Sequence, residues 1–243
     1  MNKPFTFKQF TIEQDRCAMK IGTDGILLGA WAAVKDPYSI LDIGAGTGII
    51  GLMMAQRSDA GLIDAIEIDE DAYEQCVDNF ENSSWGDRLF CYHASLDEFA
   101  EEMDEERYDL IISNPPYYEA PLIASNGEDQ IPEARKKARF YDSLPFDDLL
   151  EYSSSLLADE GELAVIIPFT EEARFLQLAK SYNLYPNRIT RVKGTLETPI
   201  KRTLLQLSFT EAKPEENELI IEISRHEYTH EYIELVKDFY LKM

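Results

Sequence analysis

The chain has 243 residues, 44% of them hydrophobic, with 13 Tyr, 12 Phe and 2 Trp, enough for one large α/β domain with a real core. A net charge of −23 argues against nonspecific attraction to a polyanion, so a nucleic-acid partner has to meet a local basic patch. No apolar run approaches the about 20 residues of a membrane span. No secretory h-region opens the chain, and three widely spaced cysteines, Cys17, Cys76 and Cys91, suit a reduced, cytoplasmic protein.

Residues 1–31 stand outside any strand-helix alternation and read as an N-terminal extension. Ser39–Ile43 is a short buried strand running into the glycine loop Gly44-Ala45-Gly46-Thr47-Gly48, and residues 49–56 then carry a helical pattern. A second apolar run, 62–68, is followed by an acidic turn and a helix over 70–82. Leu89–His93 is a third strand, 96–106 an acidic helix, and Tyr108–Ser113 a fourth strand. That strand stops at Asn114-Pro115-Pro116-Tyr117, because two adjacent prolines neither extend a ladder nor enter a helix interior.

A polar stretch over 119–144 is long for a structureless loop and is expected to be functional or mobile. Beyond it come a helix over 145–157, a terminating turn at Asp159-Glu160-Gly161, a fifth strand over 162–168, and a helix capped by Thr170 and reaching residue 182. Residues 188–192, 203–209 and 219–224 are β-rich, and 232–240 is a short closing helix. The alternation predicts one doubly wound, Rossmann-like α/β domain with a mostly parallel sheet and an antiparallel C-terminal hairpin.

The glycine loop lets the backbone turn tightly and approach a ligand, and Glu67, 19 residues past Gly48, can accept both hydroxyls of a ribose. Gly46, Gly48 and Gly51 also satisfy a dinucleotide fingerprint, which leaves a NAD enzyme or a plain tight turn open. Asp42 beside the glycines favours a ligand carrying a cationic amine over a pyrophosphate, which it would repel. The turn at Asn114 offers an amide, rigid carbonyls and a ring where open α/β sheets bind ligands.

Asp42-Ile43-Gly44-Ala45-Gly46-Thr47-Gly48, Glu67 and Asn114-Pro115-Pro116-Tyr117, in that order, resemble the S-adenosylmethionine-dependent amino methyltransferases. Upstream, Phe5-Thr6-Phe7-Lys8-Gln9-Phe10, Asp15-Arg16-Cys17-Ala18-Met19-Lys20 and Gly22-Thr23-Asp24-Gly25-Ile26-Leu27-Leu28-Gly29-Ala30-Trp31 are similar to the bacterial tRNA1(Val) adenine methyltransferases. The resemblance implies S-adenosyl-L-methionine as cofactor and the exocyclic amine of an adenine beside the anticodon of valine tRNA as acceptor. It assigns the cofactor to Thr23, Asp24, Asp42, Gly44, Ala45, Gly46, Gly48, Glu67, Ile68, Ser95 and Leu96. It assigns catalysis to Asn114, Pro115, Pro116 and Tyr117, with Tyr117 stacking on the target base. Ser95 departs from the pattern, since an acid often stands after the third strand to hold the adenine amine. A protein-glutamine methyltransferase of the release-factor type shares these motifs, but only 40 residues precede Leu41, too few for its usual helical domain. A DNA adenine methyltransferase would normally carry a larger target-recognition region, and a non-catalytic nucleotide- or RNA-binding module is the remaining alternative.

Two basic segments break the acidic background. Residues 133–139 set Arg135, Lys136, Lys137 and Arg139 against Glu133, and Phe140 and Tyr141 follow. Residues 188–202 set Arg188, Arg191, Lys193, Lys201 and Arg202 against Glu197. Cations with neighbouring aromatics suit phosphates and stacked bases. His226-Glu227-Tyr228-Thr229-His230 matches a zinc-protease pattern, but its context reads as a strand-to-helix turn, and no metal is expected.

Overall fold

A computed structural model describes residues 3–103, 105–116 and 144–242. Tyr117, the polar stretch after it and the whole first basic segment, Arg135, Lys136, Lys137 and Arg139 included, lie outside the described residues.

The first apolar runs form strands because both faces of the sheet are covered. In chain order, β1 (Phe5–Thr6) and β2 (Thr11–Ile12) make a small antiparallel pair, and α1 (Thr23–Trp31) leads into β3 (Ser39–Ile43), all five of whose residues are buried. Then come α2 (Ile49–Arg57), β4 (Leu62–Glu67), α3 (Glu70–Glu81), β5 (Leu89–His93), α4 (Leu96–Glu102) and β6 (Tyr108–Ser113). Helix α3 starts where Asp69 accepts from the Ala72 N–H at 2.9 Å, with Glu70 and Asp71 placed favourably at its positive end.

The second half holds α5 (Phe146–Leu156), β7 (Leu157–Pro168), α6 (Glu172–Ala179), β8 (Tyr185–Lys193), β9 (Ile200–Ser208) and β10 (Glu215–Ile220). The short pair β11 (Glu222–Ser224) and β12 (Glu227–Tyr228) precedes α7 (His230–Val236). Eight strands make one sheet in the order β10-β8-β9-β7-β6-β3-β4-β5. It is parallel from β5 to β7, and β9 pairs antiparallel with both β7 and β8. One apolar layer joins α1, α2, Phe80 and the C-terminal Tyr232, Val236 and Phe239 to one face of the sheet; a second joins Phe99, Leu149, Leu150 and Phe175 to the other.

The chain goes from β3 outward to β4 and β5, then returns to place β6 on the other side of β3. The ends of β3 and β6 therefore flank a topological switch point, where a crevice opens at the carboxyl lip.

Several expected boundaries differ from the structure. The turn at Asp159-Glu160-Gly161 is a register shift inside β7: Tyr108 faces Leu157 while Leu110 faces Glu162, so two steps of β6 span five of β7. The acidic helix stops at Glu102. The helix over 170–182 is α6 flanked by the 3-10 turns Phe169–Glu171 and Lys180–Tyr182. The strand over 219–224 splits: β10 lies parallel on β8, and β11 turns away into its own hairpin. The closing helix begins at His230 rather than at 232 and ends at Val236. Helix α1, inside the extension, has no counterpart in the sequence reading. Its residues from Gly25 to Trp31 are all buried, so it carries no polar stripe to reveal its period.

Candidate active site

The glycine loop leaves β3 with Gly44, Gly46 and Gly48 all in the left-handed region, at φ 74°, 55° and 77°. That conformation favours glycine because a side chain there crowds the backbone. The Gly44 and Ala45 N–H groups both donate to the Ile66 carbonyl at 3.0 Å, which ties the loop to β4. A Cβ on Gly44 or Gly46 would meet nothing within 4 Å, so the open side of the loop is a cradle that backbone atoms line.

Two carboxylates organise the loop. Glu67, at the end of β4, accepts from the Gly46 N–H at 2.8 Å and from the Asp69 N–H at 3.0 Å. A carboxylate offers about four lone-pair positions, so acceptors remain for a diol. Asp42 is fully buried; its Oδ2 accepts from the Gly51 N–H in the first turn of α2 at 3.1 Å, while its Oδ1 has no hydrogen-bond partner. Burial, partly offset by the Gly51 bond and reinforced by the nearby Glu67 charge, pushes the Asp42 carboxyl up to about 7.

This shift has a measurable consequence. An acid that titrates near 3.8 when exposed and near 7 when folded ionises first in the unfolded chain. The stability it leaves intact at low pH is therefore lost as pH rises from about 4 to about 7. We expect Asp42→Asn to gain stability relative to the parent across that window, by at most a few kcal/mol. Paired denaturant titrations from pH 5 to pH 8 check this; a constant difference would show that Asp42 ionises normally.

Beside the loop, Gly25 of α1 lies against the start of α2, where a Cβ would stand 3.5 Å from Ile49. Thr23 and Asp24 open α1 just before that contact. Asp24 pairs with Arg202 of β9 at 2.8 Å. Ile68 is half exposed immediately after Glu67, an apolar surface at the rim. Its carbonyl lies 3.1 Å from the His93 Nε2. Ser95 caps α4, its N–H and hydroxyl both donating to Glu98, and Leu96 behind it is buried. The Ser95 oxygen retains acceptor capacity, but its proton is engaged.

Across the switch point, Ile43 pairs with Ser113, and the Ser113 hydroxyl donates to the Ile43 carbonyl at 2.9 Å. Gly44 and Asn114 are the next residues on the two adjacent strands, so the glycine loop and the Asn114-Pro115-Pro116 turn leave the sheet side by side. Asn114 and Pro116 are partly exposed and Pro115 is buried.

The second basic segment is not an open cationic strip. Arg188 lies over the Trp31 ring at 4.3 Å and donates to the Trp31 carbonyl, and burial lowers its pKa. Arg191 forks onto Glu172 and reaches Glu216, and those hydrogen bonds raise its pKa far above its usual value. Lys193 pairs with Glu218, and Arg202 with Asp24. The acids that engage these cations are distant in sequence, so a local charge count missed them. The two histidines sit on different elements: His226 in the turn between β11 and β12 at φ 66°, His230 as the first residue of α7 behind its Thr229 cap. They do not share a helical face.

Sequence reasoning also missed Gln75 and Asn79, two amides four residues apart on the buried side of α3. A polar pair on an otherwise apolar helical face was the only signal available.

The family model described as methyltransferase small domain matches residues 22–137. A protein of Christiangramia forsetii named tRNA1(Val) (adenine(37)-N6)-methyltransferase is 61% identical over all of this chain and 99% of its own length. The chain belongs to that family. A Flavobacterium johnsoniae member is 60% identical over 98% of this chain and all of its own. Among solved structures, a predicted O-methyltransferase from Agrobacterium tumefaciens superposes with a TM-score of 0.69 at 19% identity, covering 89% of this chain and 96% of its own. The ribosomal protein L11 methylase of Lactobacillus delbrueckii gives 0.51 at 16% identity, over 76% of both chains. These two share the fold. No helix among the described residues is long and apolar enough to cross a membrane.

Family membership implies S-adenosylmethionine as cofactor, and the residues fit it. The cradle over Gly44 and Gly46 is open, Glu67 retains acceptors for a ribose, and the unpartnered Asp42 Oδ1 beneath the loop favours a cationic ligand nearby.

Proposed function

We infer that this protein methylates the exocyclic amine of an adenine in tRNA, with S-adenosylmethionine as methyl donor and the adenine beside the anticodon of valine tRNA as acceptor. The observation that carries the mechanism is the adjacency of the Ile43 and Ser113 strand ends, which sets a nucleoside cradle beside a turn of hydrogen-bond acceptors. When bound, the cofactor supplies an electrophilic methyl group on a sulfonium; the rest falls to the chain.

An aromatic amine is a poor nucleophile because its lone pair is delocalised into the ring. The Asn114 side-chain carbonyl and the Pro115 backbone carbonyl accept hydrogen bonds from its two N–H groups. This favours a pyramidal nitrogen with its lone pair aimed along one direction. The gain comes from orientation and a preorganised polar environment, with no covalent intermediate. Pro115 and Pro116 fix the turn, so the acceptors do not move as charge develops. Tyr117 supplies a face for the target base once it has left its own stack. Glu67 and Asp69 make the rim acidic, which suits a cationic donor and resists a polyanion.

RNA therefore approaches over the first basic segment. Changing Arg135, Lys136, Lys137 and Arg139 together to Ala is expected to weaken tRNA binding at least about tenfold and to flatten its salt dependence, with cofactor affinity intact. Unchanged tRNA affinity at moderate salt would remove that role. Arg188, Arg191, Lys193 and Arg202 already hold protein partners, so they contribute less to this approach. Label transfer from S-adenosylmethionine tests the substrate class. Transfer to a glutamine of a release factor, with none to tRNA, would favour the protein-methylating alternative.

A further inference from the structure

Asn79 is 2% exposed, on the buried face of α3. Its side chain binds two segments that are far apart in sequence. The Oδ1 accepts from the Glu13 N–H at 2.9 Å, while Nδ2 donates to the Glu13 carbonyl at 2.9 Å and to the Thr47 carbonyl at 2.8 Å. Both amide protons are used, and the two carbonyl acceptors leave one orientation of the amide. Thr47 lies inside the glycine loop, between two left-handed glycines. Glu13 belongs to the segment joining β2 to α1. One turn earlier on α3, Gln75, also 2% exposed, accepts from the Arg16 N–H at 3.2 Å.

The segment from Glu13 to Ile21 is thus strapped onto α3. Cys17 in it is buried close enough to Glu67 and Asp69 for their charges to add to the burial that raises its thiol pKa. The strap folds back on itself where the Ile21 N–H donates to Gln14, and then enters α1 at Thr23. It runs from the Asn79 contact behind the glycine loop, within reach of the Glu67 charge, to the start of α1, whose Gly25 packs on Ile49 at the head of α2. A buried amide is costly unless fully bonded, and an apolar residue would serve the core as well. What an apolar residue cannot do is hold loop and strap together.

We infer that Asn79 is a positioning residue for the cofactor, locking the glycine loop and the N-terminal strap into one binding unit. The inference rests on the S-adenosylmethionine reading above. Asn79→Asp keeps the shape and the acceptor for Glu13 N–H but loses both donors and sets a carboxylate against two carbonyls.

Calorimetric titration of wild-type protein with S-adenosylmethionine, without tRNA, comes first; no binding would overturn the cofactor reading and this inference with it. Given binding, Asn79→Asp is expected to raise the dissociation constant at least about tenfold, the order of one buried hydrogen bond. The turnover rate at saturating cofactor and the KM for tRNA should stay within about twofold. Val236→Ala, at the buried end of α7, serves as a destabilised control whose cofactor affinity should not change. A wild-type dissociation constant in Asn79→Asp, or an equal loss in the control, would overturn the inference. Should Asn79→Asp not fold, amide exchange on the wild type decides. Cofactor should slow the Glu13 and Arg16 amides together with those of the glycine loop; protection of the loop alone would contradict the coupling.

Discussion

Replacing Asn114 with alanine is expected to lower the rate of methyl transfer about a hundred- to a thousand-fold, the usual effect of removing one preorganised polar group from a reacting centre. Affinity for S-adenosylmethionine should stay within about twofold. The separation follows from how the lip is built. Ser113 ties β6 to β3, through its bond to the Ile43 carbonyl. Pro115 and Pro116 hold the turn through their fixed φ. Removing the amide keeps the Ser113–Ile43, Gly46–Glu67 and Gly51–Asp42 bonds and takes away an acceptor for the target amine. Single-turnover rates and cofactor calorimetry on the same preparation check both halves. A retained rate would mean that Asn114 does not hold the amine; lost cofactor affinity would place Asn114 in the cradle instead.

Gly48→Ala is expected to be strongly destabilising. A Cβ there would stand 2.6 Å from Phe80 and 2.9 Å from Cys76, both buried, at a φ of 77°. Left-handed backbone costs a non-glycine residue about 1–2 kcal/mol, and forcing a methyl into a packed core adds about 1–3 kcal/mol. Gly46→Ala pays only the backbone part, since nothing lies within 4 Å of its Cβ position. Its methyl would instead enter the open cradle. The pair thus separates two roles in one loop: Gly48→Ala loses stability, and Gly46→Ala loses cofactor affinity with most stability retained. Denaturant unfolding and cofactor titration of both variants measure this, and equal stability losses would contradict the assignment of open and closed sides.

The centre of the sheet was legible because its strands are short apolar runs ended by residues with special backbone needs. There Ser39–Ile43 and Tyr108–Ser113 appear with the bounds their patterns give, as does Leu89–His93 at one edge. The opposite edge was harder for physical reasons. Four of the six residues of β10 are exposed and its sequence is acid-rich, so it has little apolar signal. The register shift in β7 depends on its partner strand, which a linear reading does not see. In the site, glycines at positive φ and the paired prolines announce themselves, because few other residues can take their place. The Asn79 clamp, the Asp24–Arg202 pair and the stacking of Arg188 on Trp31 join residues far apart in the chain, and ordinary polar residue types do not name their partners.

The central claim is transfer of a methyl group to an adenine amine in tRNA. The most direct measurement incubates the protein with labelled S-adenosylmethionine and unmodified valine tRNA, then digests the RNA and locates the labelled nucleoside. The account predicts N6-methyladenosine beside the anticodon, and none with Asn114→Ala. Label on another base or at a ribose, or clean cofactor binding with no transfer to RNA, would contradict it.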